Sequence, residues 1–102
     1  MANINIPEGV TKIERFTFYY CSKLESITIP EKVAEIGEQA FYHCNYLRKV
    51  YCKPTTPPIG GDKMFDSNHS SRKIYVPAES VEAYQSAALW SDYASSIVGY
   101  NF

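Results

Sequence analysis

The sequence predicts an α/β solenoid of short parallel strands, closed by a C-terminal helical cap. Three observations carry that prediction. Residues 6–28, IPEGVTKIERFTFYYCSKLESIT, align without a gap on residues 29–51, IPEKVAEIGEQAFYHCNYLRKVY. Adding 23 to each position carries Ile6, Val10, Ile13, Phe18, Cys21, Leu24 and Ile27 onto Ile29, Val33, Ile36, Phe41, Cys44, Leu47 and Val50. A fixed period of this length marks a small unit that buries its apolar face only by stacking on its neighbours. Each unit contains a short apolar/polar alternation that ends at a proline, and the pattern changes after Pro77 into one with helical spacing.

The elements follow in order. Ile4-Asn5-Ile6-Pro7 recurs as Ile27-Thr28-Ile29-Pro30, as Val50-Tyr51-Cys52 with Lys53-Pro54 behind it, and as Ile74-Tyr75-Val76-Pro77. This strict alternation predicts a strand with one face inward. Proline ends it, lacking an N–H for a ladder and fixing φ. Four equivalent strands, one per turn, stack in parallel. Val10 and Ile13, then Val33 and Ile36, cross the opposite wall. Gly37 suits a sharp turn, although Glu14 at the matching place means that a positive φ is not required there. Phe18, Phe41 and Phe65 are expected in the core, and Cys21 and Cys44 in one buried column.

The third repeat is irregular over 53–72. Pro54 to Gly61 reads as turn and polyproline-like sequence, and Asp66 to Ser71 as a polar, mobile loop. Phe65 follows Phe41, and Ile74 follows Val50, at one position more than the earlier period, so the turn survives with a single insertion. Beyond Pro77, AESVEAYQSAALW predicts a helix with Ser80 at its N-cap, Glu79 and Glu82 at the positive end of the dipole, and Val81, Tyr84 and Ala88 on one face. Trp90, Tyr93, Ile97 and Val98 add an apolar cluster beside it. Repeats occupy 1–77 and the capping segment 78–102.

At 102 residues the chain is one domain. Its 45% hydrophobic and 21% charged residues are ordinary globular values, and a net charge of −1 makes no electrostatic case for nucleic acid. No apolar run reaches the ~18 residues of a membrane span, so membrane insertion is not expected. The first residues carry no secretion signal, and the repeat pattern is under way by residue 4, which points to a C-terminal piece of a longer protein.

The repeat I-P-x-x-V-x-x-I-x-x-x-x-F-x-x-C-x-x-L-x-x-I resembles the BspA-type leucine-rich repeat family of bacterial surface proteins. Residues 74–98, IYVPAESVEAYQSAALWSDYASSIV, look like the closing segment of such proteins. The resemblance implies a right-handed leucine-rich repeat coil, an extracellular or cell-surface setting, and adhesion or recognition as the role. The family has no common catalytic residues, so it implies no enzyme and no cofactor.

The residues themselves offer weak chemistry. His43-Cys44 has the composition of a thiol dyad, but Tyr20 holds the matching place in the first repeat, and neighbours on an extended chain point apart. Cys21, Cys44 and Cys52 with His43 and His69 lack the close pairs of a structural zinc site. Glu8 and Glu31 read as solvated turn residues. With nine tyrosines, the outward strand positions carry more. Thr28, Tyr51 and Tyr75 fall in one exposed row, with Lys49 and Lys73 preceding the same strands. Either this row binds a partner through tyrosine's large, rigid contact area, or the rings pack on one another as a cross-strand ladder. The partner expected is a protein ligand, of host or extracellular-matrix origin, with glycan as a second class. The alternative is a purely structural segment that closes a longer solenoid whose binding surface lies upstream. The first turn, around Ile4, Ile6, Val10 and Ile13, is uncapped, and self-association through it is expected.

Overall fold

The computed structural model describes residues 3–102, with side chains from Ile6 onward; the Ile4 side chain lies outside that description. Five strands, β1 (Asn3–Asn5), β3 (Ser26–Ile29), β5 (Lys49–Cys52), β6 (Lys73–Pro77) and β7 (Ile97–Tyr100), form one sheet in the order β1-β3-β5-β6-β7. Every neighbouring pair is parallel. A second parallel pair joins β2 (Lys12–Ile13) to β4 (Glu35–Ile36), and Glu35 bridges onward to Ile59.

The register follows the repeat. Ile4 pairs with Ile27, Ile27 with Val50, Val50 with Ile74 and Ile74 with Ile97. In β3, β5, β6 and β7 this register position carries an inward residue. Ile27, Val50 and Ile74 are accordingly buried, as are Ile13, Ile36, Leu24 and Leu47. Phe18, Phe41 and Phe65 stack through the interior, with ring centroids 5.1 and 5.2 Å apart and planes within 10°. Stacked pairs of this kind add roughly 0.5–1.5 kcal/mol each beyond their burial.

The extra residue of the third coil can be placed. Ile29 pairs with Cys52, still on the original period, whereas Glu35 bridges to Ile59, one position beyond it. The insertion therefore lies between Lys53 and Pro58. Past it the coil resumes its course. The amide of Ile36 donates to Ile59, that of Gln39 to Asp62, that of Phe41 to Met64 and that of His43 to Asp66. The polar stretch expected as a mobile loop is tied into the coil by the same ladder. Asn68 holds the place of Cys44 in the third coil and plays the same part: the Cys44 thiol donates to the Phe18 carbonyl at 3.0 Å, and the Asn68 amide to the Phe41 carbonyl at 2.8 Å.

Two features of the turns depart from what composition suggests. Gly37 has no positive φ. Its need is space, because a Cβ there would stand 2.3 Å from the Arg15 amide nitrogen in the coil below, and one on Gly61 would stand 2.3 Å from the Gly37 carbonyl carbon. The matching place in the first coil carries Glu14. The left-handed corners belong instead to Phe16, Gln39 and Lys63, and to Tyr20, His43 and Ser67, at matching places in the three coils. Each such non-glycine residue costs roughly 1–2 kcal/mol. The ladder offsets that cost, since Phe16, Tyr20, Gln39 and His43 each donate an amide to the next coil at 2.9–3.1 Å.

The C-terminal segment departs from the single helix expected. A 3₁₀ turn at Ala78–Ser80 leads into α1 (Val81–Ser86), and a second 3₁₀ stretch runs from Trp90 to Ser96. Leu89, at φ 68°, turns the chain between them, which leaves Ala88 exposed instead of on the buried face of Tyr84. Ser80 sits at the N-cap of α1, but its hydroxyl donates to the Thr55 carbonyl, not to the helix. Tyr84 donates to the Pro54 carbonyl at 2.6 Å and Trp90 to the Pro58 carbonyl at 2.7 Å. Three side chains thus satisfy carbonyls of the inserted stretch, and the Trp90 and Tyr93 rings pack on Phe65.

Candidate functional site

Alternation along β3, β5 and β6 sorts the outward residues into rows. The first row holds Ser26, Lys49 and Lys73, paired in that order; the second holds Thr28, Tyr51, Tyr75 and then Val98. Thr28, Lys49 and Lys73 are exposed, and Tyr51 and Tyr75 are half-buried. All five expected positions lie on one face. The two tyrosine rings stack with centroids 5.0 Å apart and planes within 16°.

The cover that half-buries them comes from the chain's end, which the strand pattern of the repeats does not reach. Tyr100, at the end of β7, stands edge-on to both rings, 5.5 Å from each, and Phe102 lies 4.9 Å from Tyr100 and 6.5 Å from Tyr51. A signal for it exists in the sequence, for Ile97 lies one period beyond Ile74 and announces a fifth strand. Tyr100 and Phe102 are each about half exposed, so the four rings make a continuous aromatic surface open to solvent. Beside it Glu31, Lys53, Thr55, Pro77, Glu79, Asn101 and the two terminal aromatics line a hollow of about 370 Å³. The face thus passes from lysines, through aromatic rings, to a hollow with two carboxylates.

The family comparison agrees with this geometry. A family model described as BspA type leucine rich repeat region (6 copies) matches residues 1–98. The chain belongs to that family. No curated protein matches it.

Within this BspA-type chain two of the three thiols, those of Cys44 and Cys52, are buried away from reagents. Burial pushes Cys44 up to about 11 and Cys52 up to about 12. The Cys52 sulfur lies 3.4 Å from the Tyr84 hydroxyl. His43 makes no dyad with Cys44; its ring stacks on Tyr20 at 4.5 Å. Among the described residues no group of three or more His, Cys, Asp or Glu is placed to hold a metal ion. No helix among them is long and apolar enough to cross a membrane.

A second aromatic surface lies at the turns. Tyr19 stacks on Tyr42 at 5.7 Å beside the Tyr20–His43 stack, and Phe16 meets Tyr19 edge-on. It arises because the left-handed corners swing Phe16, Tyr20 and His43 outward; of the three, alternation with an inward neighbour anticipates only His43, beside buried Cys44.

Proposed function

We propose that this chain is a non-catalytic interaction module of a cell-surface or secreted protein, binding a protein ligand through the exposed face of its large sheet. Tyr51, Tyr75, Lys49, Lys73 and Thr28 make the contact surface, and Tyr100 and Phe102 extend it. The observation that carries this reading is the four-ring aromatic patch, flanked by lysines and left open to solvent. Amphipathic rings of this kind supply most of the contact energy in recognition surfaces. The repeats over 1–77 form a right-handed solenoid in this reading, and 78–102 caps it. The hydrogen bonds from Ser80, Tyr84 and Trp90 to the third coil support the cap.

The test is binding to a panel of immobilised extracellular-matrix proteins, comparing the native chain with a Tyr51→Ala/Tyr75→Ala variant of unchanged fold. Binding should fall at least tenfold. Equal binding by both proteins to every member held would refute the assignment. A glycan is the second reading, favoured by the hollow beside Tyr100, where carboxylates, Thr55 and aromatic rings stand together. A glycan array probed with both proteins separates the two.

A further inference from the structure

The two rungs that carry tyrosine share a second feature. β5 and β6 hold the same motif, Lys49-Val50-Tyr51 and Lys73-Ile74-Tyr75, although a residue is inserted between them. Register sets Lys49 directly beside Lys73 and Tyr51 directly beside Tyr75. The face therefore presents a two-by-two array, with two lysines one outward step, about 6.6 Å along the strands, from two stacked rings. The flanking rungs differ: β3 has Ser26 and Thr28 at these places, and β7 has Val98 beside Tyr75.

Both lysines are uncommitted. Among the described residues the ion pairs are those of Lys12 with Glu14 and Glu35, and the cations lying over rings are Arg15 and Arg72. Lys49 and Lys73 are exposed and take part in neither kind of contact. The carboxylates of this face, Glu31 and Glu79, line the hollow beyond the rings together with Lys53. Like charges directly opposite on neighbouring strands repel. Lysine often guards a sheet edge against unwanted pairing, but β5 and β6 are interior strands, flanked by β3 and β7. An anionic group set between the two ammonium groups would relieve their repulsion.

We propose that this array takes an acidic segment of a protein, whose carboxylates bridge Lys49 and Lys73 while a neighbouring apolar or aromatic side chain covers Tyr51 and Tyr75. The proposal rests on the sheet-face reading and names the chemistry of its ligand. Side chains on one face of an extended segment have the same spacing of about 6.6 Å, so alternate residues of the ligand meet both rows. The state of the rings favours a protein over an anionic glycan. Tyr51 and Tyr75 turn a face to each other, Thr28 and Val98 flank the pair, and Tyr100 meets both rings. The broad faces on which a sugar would lie are thereby taken up. What the stack turns to solvent is ring edge, whose positive rim attracts a carboxylate or the face of another ring.

The test titrates the chain against labelled probes: a random copolymer of glutamate and tyrosine, a copolymer of lysine and tyrosine, and heparin. The glutamate–tyrosine copolymer should bind, more weakly as salt rises, and the lysine–tyrosine copolymer should not. Lys49→Glu/Lys73→Glu should weaken the binding about tenfold or more, and Lys49→Arg/Lys73→Arg should keep it. Circular dichroism checks that these surface variants remain folded. The proposal is overturned if the native chain leaves the glutamate–tyrosine copolymer unbound, prefers heparin, or binds equally after charge reversal. The Tyr51→Ala/Tyr75→Ala variant, run beside the lysine reversal on the matrix proteins, separates this proposal from the reading beneath it. If the tyrosine variant loses binding that the lysine reversal retains, the sheet face binds but its ligand is not acidic. If the tyrosine variant retains that binding, the sheet-face reading is wrong and this proposal falls with it.

Discussion

In a Gly37→Ala variant the added Cβ would stand 2.3 Å from the Arg15 nitrogen, 2.6 Å from its Cα and 2.7 Å from the Glu14 carbonyl carbon. All three are backbone atoms, so no side chain can swing aside. Reaching ordinary contact at 3.4 Å requires the first two coils to part locally by about 1.1 Å, the difference between 3.4 and 2.3. The bonds that cross this seam include Gly37 to Ile13 at 2.7 Å, Phe16 to Glu38 at 3.1 Å and Phe18 to Ala40 at 2.8 Å. Stretched by that amount, each passes beyond hydrogen-bond range. At roughly 0.5–1.5 kcal/mol net per bond, the loss is about 2–4 kcal/mol, in line with other overpacking substitutions. Gly9→Ala is the control, since nothing lies within 4 Å of its Cβ and its φ is not positive. It should be neutral, or stabilise by about 0.5 kcal/mol through the unfolded chain. Urea unfolding of the three proteins measures both. A Gly37→Ala cost below ~1 kcal/mol would mean that the coils are not held at this spacing.

Other outcomes follow from the same contacts. Tyr84→Phe, which strands the buried Pro54 carbonyl and loses the contact with Cys52, should cost about 1–3 kcal/mol in the same assay. An aromatic disulfide reagent should modify one thiol of the native protein, the half-buried Cys21, and all three only after unfolding. Because burial raises Cys44 to about 11 and Cys52 to about 12, the stability they contribute is whole below the ordinary thiol value of 9.0. It is lost as pH climbs from there through the folded values, so the urea midpoint should fall across that window, and less so in a Cys44→Ala/Cys52→Ala background. Lys63→Gly, which relieves a φ of 54° on an exposed residue, should raise stability by up to about 1 kcal/mol; a lower midpoint would refute the strain.

The parallel stack and its columns are legible in the sequence because they rest on spacing. Strict alternation and a constant period fix which side chains share a rung, and that is enough to bring Phe18, Phe41 and Phe65 together, or Tyr51 and Tyr75. What escapes depends on relations that spacing does not encode. The corners at Phe16, Tyr20, Gln39 and His43 adopt a conformation that their own residue types disfavour, imposed by the ladder to the next coil. The role of Gly37 is set by the backbone of the coil beneath it, a contact that no single turn of sequence reveals. Apolar spacing beyond Pro77 overstates the helix because it continues past Ser86, while Leu89 reverses the chain to bring Trp90 onto Phe65. Half of the aromatic patch is hidden because Tyr100 and Phe102 reach Tyr51 only through β7, whose place in the sheet follows from Ile97 lying one period beyond Ile74.

The left-handed corners have a consequence for diversification. Because the bend is enforced by carbonyls of the adjoining turn, which accept from the amides at the bend, and not by glycine or asparagine at the bend itself, those sites are chemically uncommitted. The chain already displays the latitude this confers, with phenylalanine, glutamine and lysine at one corner and tyrosine, histidine and serine at the other. An architecture of this kind can rewrite its outer margin, turn by turn, while its interior stays unchanged.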